Sequence, residues 1–239
     1  MHITFLGTRG GIKIASAAHK RHSVVLLEYG RTRILIDAGE QWAGRLSAYN
    51  PHAIFLTHAH SDHVGALKKG APCPVYATHD VWNTIGNWPI DEQYVIKDQE
   101  RITIGHFTLQ PFSVVHSLIA PAVGYRITAG KHTIFYVSDL VRIHAEKKAL
   151  HNVDLYIGDG ASFVRPVIRL RNGSQIGHAS IKQQLAWCQQ EQVPRAIFTH
   201  CGSQVVRLPY KTAQERVQAL GQAAGVPAEL ARDGMQTNF

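Results

Sequence analysis

Short apolar runs separated by glycine-bearing polar turns make up most of the chain. Met1–Leu6 reads as a strand ending in Gly7-Thr8-Arg9-Gly10-Gly11. That run is a tight turn rather than a phosphate cradle, because the P-loop lysine pattern is missing. Ser23–Glu28 and Arg33–Ile36 read as paired strands around Tyr29-Gly30-Arg31-Thr32. Ala53–Thr57 is a buried strand, and Asp62–Lys69 a helix with acid at its start, lysines at its end and Gly70 as its stop. Further strands are expected at Pro74–Ala77, Tyr94–Ile96, Arg101–Ile104, Phe107–Val115, Ala122–Thr128, His132–Val137, Val153–Ile157 and Ala196–Thr199. Two helices are expected at Ile181–Gln190, with Ser180 as N-cap, and at Thr212–Ala224, stopped by Gly225. Neither an internal repeat nor a Pro/Ser-rich linker divides these elements, so residues 1–239 read as one α/β domain, with sheets packed together and helices outside.

Composition narrows the class. With 45% hydrophobic and 18% charged residues, the 239-residue chain can bury a core and is neither disordered nor collagen-like. No apolar run is long enough to span a bilayer, and Met1–Leu6 lacks the features of a secretory leader, so the expectation is a cytoplasmic protein with no membrane partner. Three cysteines without a C-x-x-C pair argue against a disulfide framework or a cysteine zinc knuckle. The net charge of +8 favours anionic partners or simply a soluble basic surface. Fifteen histidines make their spacing the next question.

Four metal-capable side chains fall in Thr57-His58-Ala59-His60-Ser61-Asp62-His63, where a buried strand gives way to a helix. Imidazole nitrogen and carboxylate oxygen suit zinc, manganese or iron. This H-x-H-x-D-H run resembles the motif of the metallo-β-lactamase superfamily. The resemblance continues in order through His116 after Val114-Val115, Asp139 after Phe135-Tyr136-Val137-Ser138, and His200 after Ile197-Phe198-Thr199. It implies a four-layer αβ/βα sandwich with two divalent metal ions, zinc or alternatively manganese. His58, His60 and His116 would hold one ion, Asp62, His63 and His200 the other, with Asp139 bridging both. It implies hydrolysis, with a metal-bridging hydroxide as nucleophile.

Further residues bear on the substrate. His178, in Gly177-His178-Ala179-Ser180, resembles the extra histidine of phosphodiesterase branches such as ribonuclease Z and the phosphoribosyl cyclic phosphodiesterases. There it meets the phosphate and can protonate the leaving oxygen; the plain alternative is a helix-capping role. The Asp233-Gly234-Met235 ending and Ser113–Ser117 followed by Gly124-Tyr125 resemble the cyclic phosphodiesterases, whereas the cysteine cluster of their extra structural zinc is missing. Asp159, after the strand ending at Ile157, either orients His178 or is a turn aspartate. Asp62 joins His178 and Asp159 as an expected catalytic group. Arg165, Arg169 and Arg171 form either a phosphate-binding loop or a solvated one.

These features point to a phosphodiesterase acting on a small phosphodiester (a cyclic nucleotide or cyclic sugar phosphate) or on a nucleic-acid end. The resemblance also allows a homodimer. Too few positions separate His116 from Asp139 for the tRNA-gripping insertion of ribonuclease Z relatives. A thioester or lactam hydrolase shares the same metal ligands but needs neither His178 nor the arginines. An oxygen-reducing di-iron protein is disfavoured by His60, where such members carry Glu. A non-catalytic, metal-dependent nucleic-acid-binding module is the reading from a different class.

Overall fold

The computed structural model describes residues 1–239. In chain order its strands are β1 (His2–Gly7), β2 (Val24–Tyr29), β3 (Thr32–Ile36), β4 (Ala53–Phe55), β5 (Val75–Thr78), β6 (Gln93–Ile96), β7 (Ile102–Ile104), β8 (Phe107–Val115) and β9 (Ala122–Ala129), then β10 (His132–Tyr136), β11 (Arg142–Ile143), β12 (Leu155–Asp159), β13 (Val167–Arg171), β14 (Ser174–His178), β15 (Ala196–Thr199), β16 (Ala228–Leu230) and β17 (Met235–Asn238). Its α-helices are α1 (Ser61–Val64), α2 (His79–Ile85), α3 (Glu146–Leu150), α4 (Ile181–Gln190), α5 (Ser203–Val206) and α6 (Tyr210–Ala224).

Two sheets face each other. One runs β17-β1-β2-β3-β4-β5-β6, the other β11-β8-β9-β10-β12-β15-β16 with β7 on β8. Alternation along each strand sends side chains to two different cores. In β3, Ile34 and Ile36 point between the sheets, where they meet Tyr125, Ile127 and Ile157 from the other sheet. Leu35 points outward, under Val64, Leu67, Val81 and Trp82. On the far side, Phe112, Phe135, Tyr156 and Phe198 pack beneath Ile181 and Leu185 of α4 and Val217 of α6. The layers are therefore helix, sheet, sheet, helix, as the resemblance implied. No helix is long and apolar enough to cross a membrane, and all three cysteines are free thiols.

Several elements differ from the sequence expectation. The helix over Asp62–Lys69 is one α-turn, Ser61–Val64, followed by a 3₁₀ segment, Gly65–Lys69. The arginine segment is a hairpin, β13–β14, that pairs with neither main sheet. Its turn residues Asn172 and Gly173 have φ of 50° and 75°, the left-handed pair that a two-residue hairpin loop requires. The C-terminal tail supplies β17, an antiparallel edge strand on β1, and α2 follows β5 in a segment to which the sequence pattern assigned no element.

Candidate metal and hydrolytic site

The metal-capable side chains converge where strands of both sheets end. β4 leads through Leu56 and Thr57 into the His58–His63 run, His116 directly follows β8, β10 leads to Asp139, β12 ends in Asp159 and β15 delivers His200. Their donor atoms group in space. His58, His60 and His116 form one set and Asp62, His63 and His200 a second, each with donors within 4.8 Å of one another; the same spacing joins His58, His63 and Asp139, and draws in His178 with His116 and Asp139 and with Asp159 and His200. Asp139 lies between the first two sets. Its Oδ1 is 3.6 Å from His116 Nε2, while its Oδ2 is 3.2 Å from His63 Nε2 and 3.4 Å from His200 Nε2.

The other ring nitrogens are fixed from behind, which decides what each histidine presents. His116 Nδ1 donates to the Gly177 carbonyl at 3.0 Å. Thr57 Oγ1 donates to Asp37 at 2.9 Å and accepts from His58 Nδ1 at 3.0 Å. His63 Nδ1 donates to Asp37 Oδ2 at 2.8 Å. In each case Nε2 is left to face the cluster, the arrangement that metal-ligating histidines use. Asp37 was not among the expected site residues. Its signal was present, since it follows the apolar strand β3 just as Asp139 follows β10. Asp37 and His200 also hold φ of 64° and 52°, left-handed conformations uncommon for residues other than glycine and often found at functional sites.

The electrostatics show what the cluster lacks. Burial drives His58 well below the usual imidazole value, and neighbouring His63 adds to it. Burial would also lower His63 and His200. Asp62, Asp139 and Asp37 overcome it at His63, and Asp139, Asp159 and Asp62 at His200, which rises to about 10. Burial works against ionisation of Asp62, yet His63 and His200 hold its carboxyl far below the normal range. These buried carboxylates therefore demand positive charge close by. His63 Nε2 and Asp139 Oδ2 nonetheless have no hydrogen-bond partner of good geometry, a costly state for buried polar atoms. Orphaned nitrogen and oxygen donors in two converging sets fit divalent cations.

A cavity of about 530 Å³ opens over the cluster, lined by Gly10, Gly11, Ile12, His60, Asp62, His116, Asp139, Val167, His178 and His200 among others. The N-terminal turn approaches so closely that a Cβ on Gly10 would lie 3.0 Å from the His200 ring, and one on Gly11 3.0 Å from the Asp62 carboxylate. His178 Nδ1 donates to Asp159 Oδ2 at 2.7 Å. Asp159 also accepts from the Ala161 backbone at 2.8 Å, and its own backbone is clamped by the buried Gln184 side chain at 2.8 and 2.9 Å. Burial would lower His178, but the Asp159 carboxylate, with Asp139 behind it, raises it. The arginines do not line this cavity. Arg169 and Arg171 are exposed and, by strand alternation, share the ribbon face of Val167 and His178, while Arg165 precedes the ribbon.

A family model described as a beta-lactamase superfamily domain matches residues 32–201. No match appears among curated proteins. Several solved structures share the fold. YhfI of Bacillus subtilis, a metallo-beta-lactamase fold protein, is 18% identical with TM-score 0.75, over 99% of this chain and 98% of its own. A diphosphatase from the PhnP family is 19% identical with TM-score 0.70, over 100% and 97%. The short form of human tRNase Z is 18% identical with TM-score 0.64, over 100% and 99%.

Proposed function

The chain belongs to the beta-lactamase superfamily, and from that premise we propose that it is a two-metal phosphodiester hydrolase. Its substrate would be a cyclic nucleotide, a cyclic sugar phosphate or a nucleic-acid end. The observation that carries this reading is the Asp159–His178 pair beside the metal-capable cluster. A thioester expels a thiolate that leaves unaided, whereas a phosphodiester has an alkoxide leaving group that needs a proton; a lactam nitrogen also needs one, and the lactam arm of the test separates it. Two of the similar structures, a diphosphatase and a tRNase by name, support phosphorus chemistry.

His58, His60 and His116 would hold one ion, Asp62, His63 and His200 the other, with one Asp139 oxygen toward each. The donor set suits zinc, with manganese as the alternative. A bound metal pair supplies an acidified water and positive charge for the phosphoryl oxygens. The chain's own groups do the rest. Asp159 fixes the His178 tautomer and favours its protonated form, so that Nε2–H faces the cavity as a general acid for the departing oxygen. Ile12 and Val167 give the cavity apolar wall. Arg169 and Arg171, further out on the ribbon, would meet the part of an anionic substrate that extends beyond the mouth.

The test is turnover of bis-p-nitrophenyl phosphate by zinc- and manganese-loaded protein before and after chelation, alongside a thioester and a lactam. Diester turnover lost on chelation and restored by metal is expected. Turnover confined to the thioester or lactam, or none with any divalent metal, contradicts the proposal; the latter result would leave a binding module.

A further inference from the structure

A second cavity, of about 690 Å³, opens on the outer face of the sheet that carries β8 and β9, beside α3. Its lining is Arg101, Gln110, Arg126, Lys147, Lys148 and His151, with no carboxylate and no apolar side chain. It shares no residue with the catalytic cavity. Gln110 and His116 lie six positions apart on or just past β8, which places the two sites roughly 20 Å apart along the strand.

The cations here are uncompensated. Arg126 is half-buried and donates to the Ala149 carbonyl at 3.1 Å, which fixes its guanidinium under the end of α3. Lys148 donates to the Gln99 side chain at 2.5 Å. Burial, and then Arg101 beside it, disfavours the charge on Arg126. The nearby opposing carboxylate, Asp154, is engaged by the Thr133 backbone at 2.7 Å and does not line the cavity. Among lysines and arginines, ion-pair distance to a carboxylate is reached by Arg33, on Glu28, and by none of these four. The C-terminal dipole of α3 accounts for its two lysines. It does not account for Arg101 and Arg126 converging on the same concavity from the sheet.

We propose that this cavity binds a small, multiply phosphorylated molecule. Four permanent cations around one volume exceed what a monoanion neutralises. Guanidinium forks match phosphate oxygens bidentately, the volume is that of a small-molecule site, and the polar lining excludes an apolar ligand. The inference does not depend on the reaction at the catalytic site.

Fructose 1,6-bisphosphate and inorganic phosphate serve as probes on the full-length, metal-loaded protein, read by calorimetry and by backbone amide shifts. The bisphosphate is expected to shift amides at Arg101, Arg126 and Lys147–His151 and to bind about tenfold more tightly there than phosphate. The variant Arg101→Gln/Lys147→Gln/Lys148→Gln replaces side chains that line this cavity and lie outside the catalytic one. It should weaken that binding about tenfold or more and leave bis-p-nitrophenyl phosphate turnover unchanged. Shifts confined to the catalytic cavity, equal binding by the variant, or no saturation below roughly 10 mM would overturn the proposal. So would a single-stranded oligonucleotide that binds this face more tightly than the bisphosphate.

Discussion

His178 stands outside the two donor sets but within hydrogen-bond reach of Asp159, so its loss should separate chemistry from metal binding. His178→Ala is expected to lower diester turnover by about 10²–10⁴-fold, the usual weight of a general acid, with metal content unchanged by elemental analysis. A matching loss of metal would make the residue a structural one. A second residue-scale prediction concerns His19, which is 1% exposed. It lies against Thr8 at 2.9 Å, and burial lowers its pKa to about 4. Between the ordinary value near 6.5 and about 4, the unfolded chain binds a proton there that the folded chain refuses. This contribution to stability is therefore intact above pH 6.5 and falls away with acidification, by about 3 kcal/mol at the lower limit. Urea titrations of the wild type and His19→Gln at pH 6.5 and 4 measure it. The wild type should lose about 3 kcal/mol more than the variant, and parallel losses would refute the assignment. At this scale the sequence was legible wherever a histidine or aspartate followed an apolar run, as at His116, Asp139 and His200. Asp37 carried the same signal but no neighbouring motif. Its contacts with His63 Nδ1 and with Thr57, which holds His58, give it meaning.

The β13–β14 ribbon ties two site groups to one element. Gly177 accepts from His116 through its carbonyl and donates its N–H to the His116 carbonyl at 2.8 Å, and His178 follows directly. Gly177 has φ of 123°, and a Cβ there would fall 1.9 Å from the Val167 carbonyl oxygen. Gly177→Ala should therefore open the base of the ribbon and lower kcat by about tenfold or more, since displacing a positioned group by an ångström can cost a hundredfold. Gly173→Ala, at the ribbon tip with φ of 75° and open space around it, should leave kcat within about twofold. Equal effects of the two substitutions in steady-state kinetics would show that the ribbon base does not position the site. Asn172-Gly173 is itself a strong hairpin signal. It was masked because Ile168-Arg169-Leu170-Arg171 alternates over only four residues, and neither of its faces is buried to mark it as a strand of the core. β17 was hidden for a related reason: Met-Gln-Thr-Asn carries no strand pattern, and β1 recruits it by backbone pairing.

For the whole molecule, the sandwich brings residues separated by most of the chain into one cluster by letting strands from both sheets end at the same edge. Buried carboxylates at Asp37, Asp62, Asp139 and Asp159 are tolerable there only against nearby positive charge. In the proposed two-metal enzyme, divalent cations supply most of that charge, and Asp139 is the side chain common to both. Elemental analysis of zinc- or manganese-loaded protein after removal of excess metal tests this most directly. The expected result is two ions per chain in the wild type and near-complete loss of both in Asp139→Ala. One ion or none per wild-type chain, or two ions retained by the variant, would contradict it.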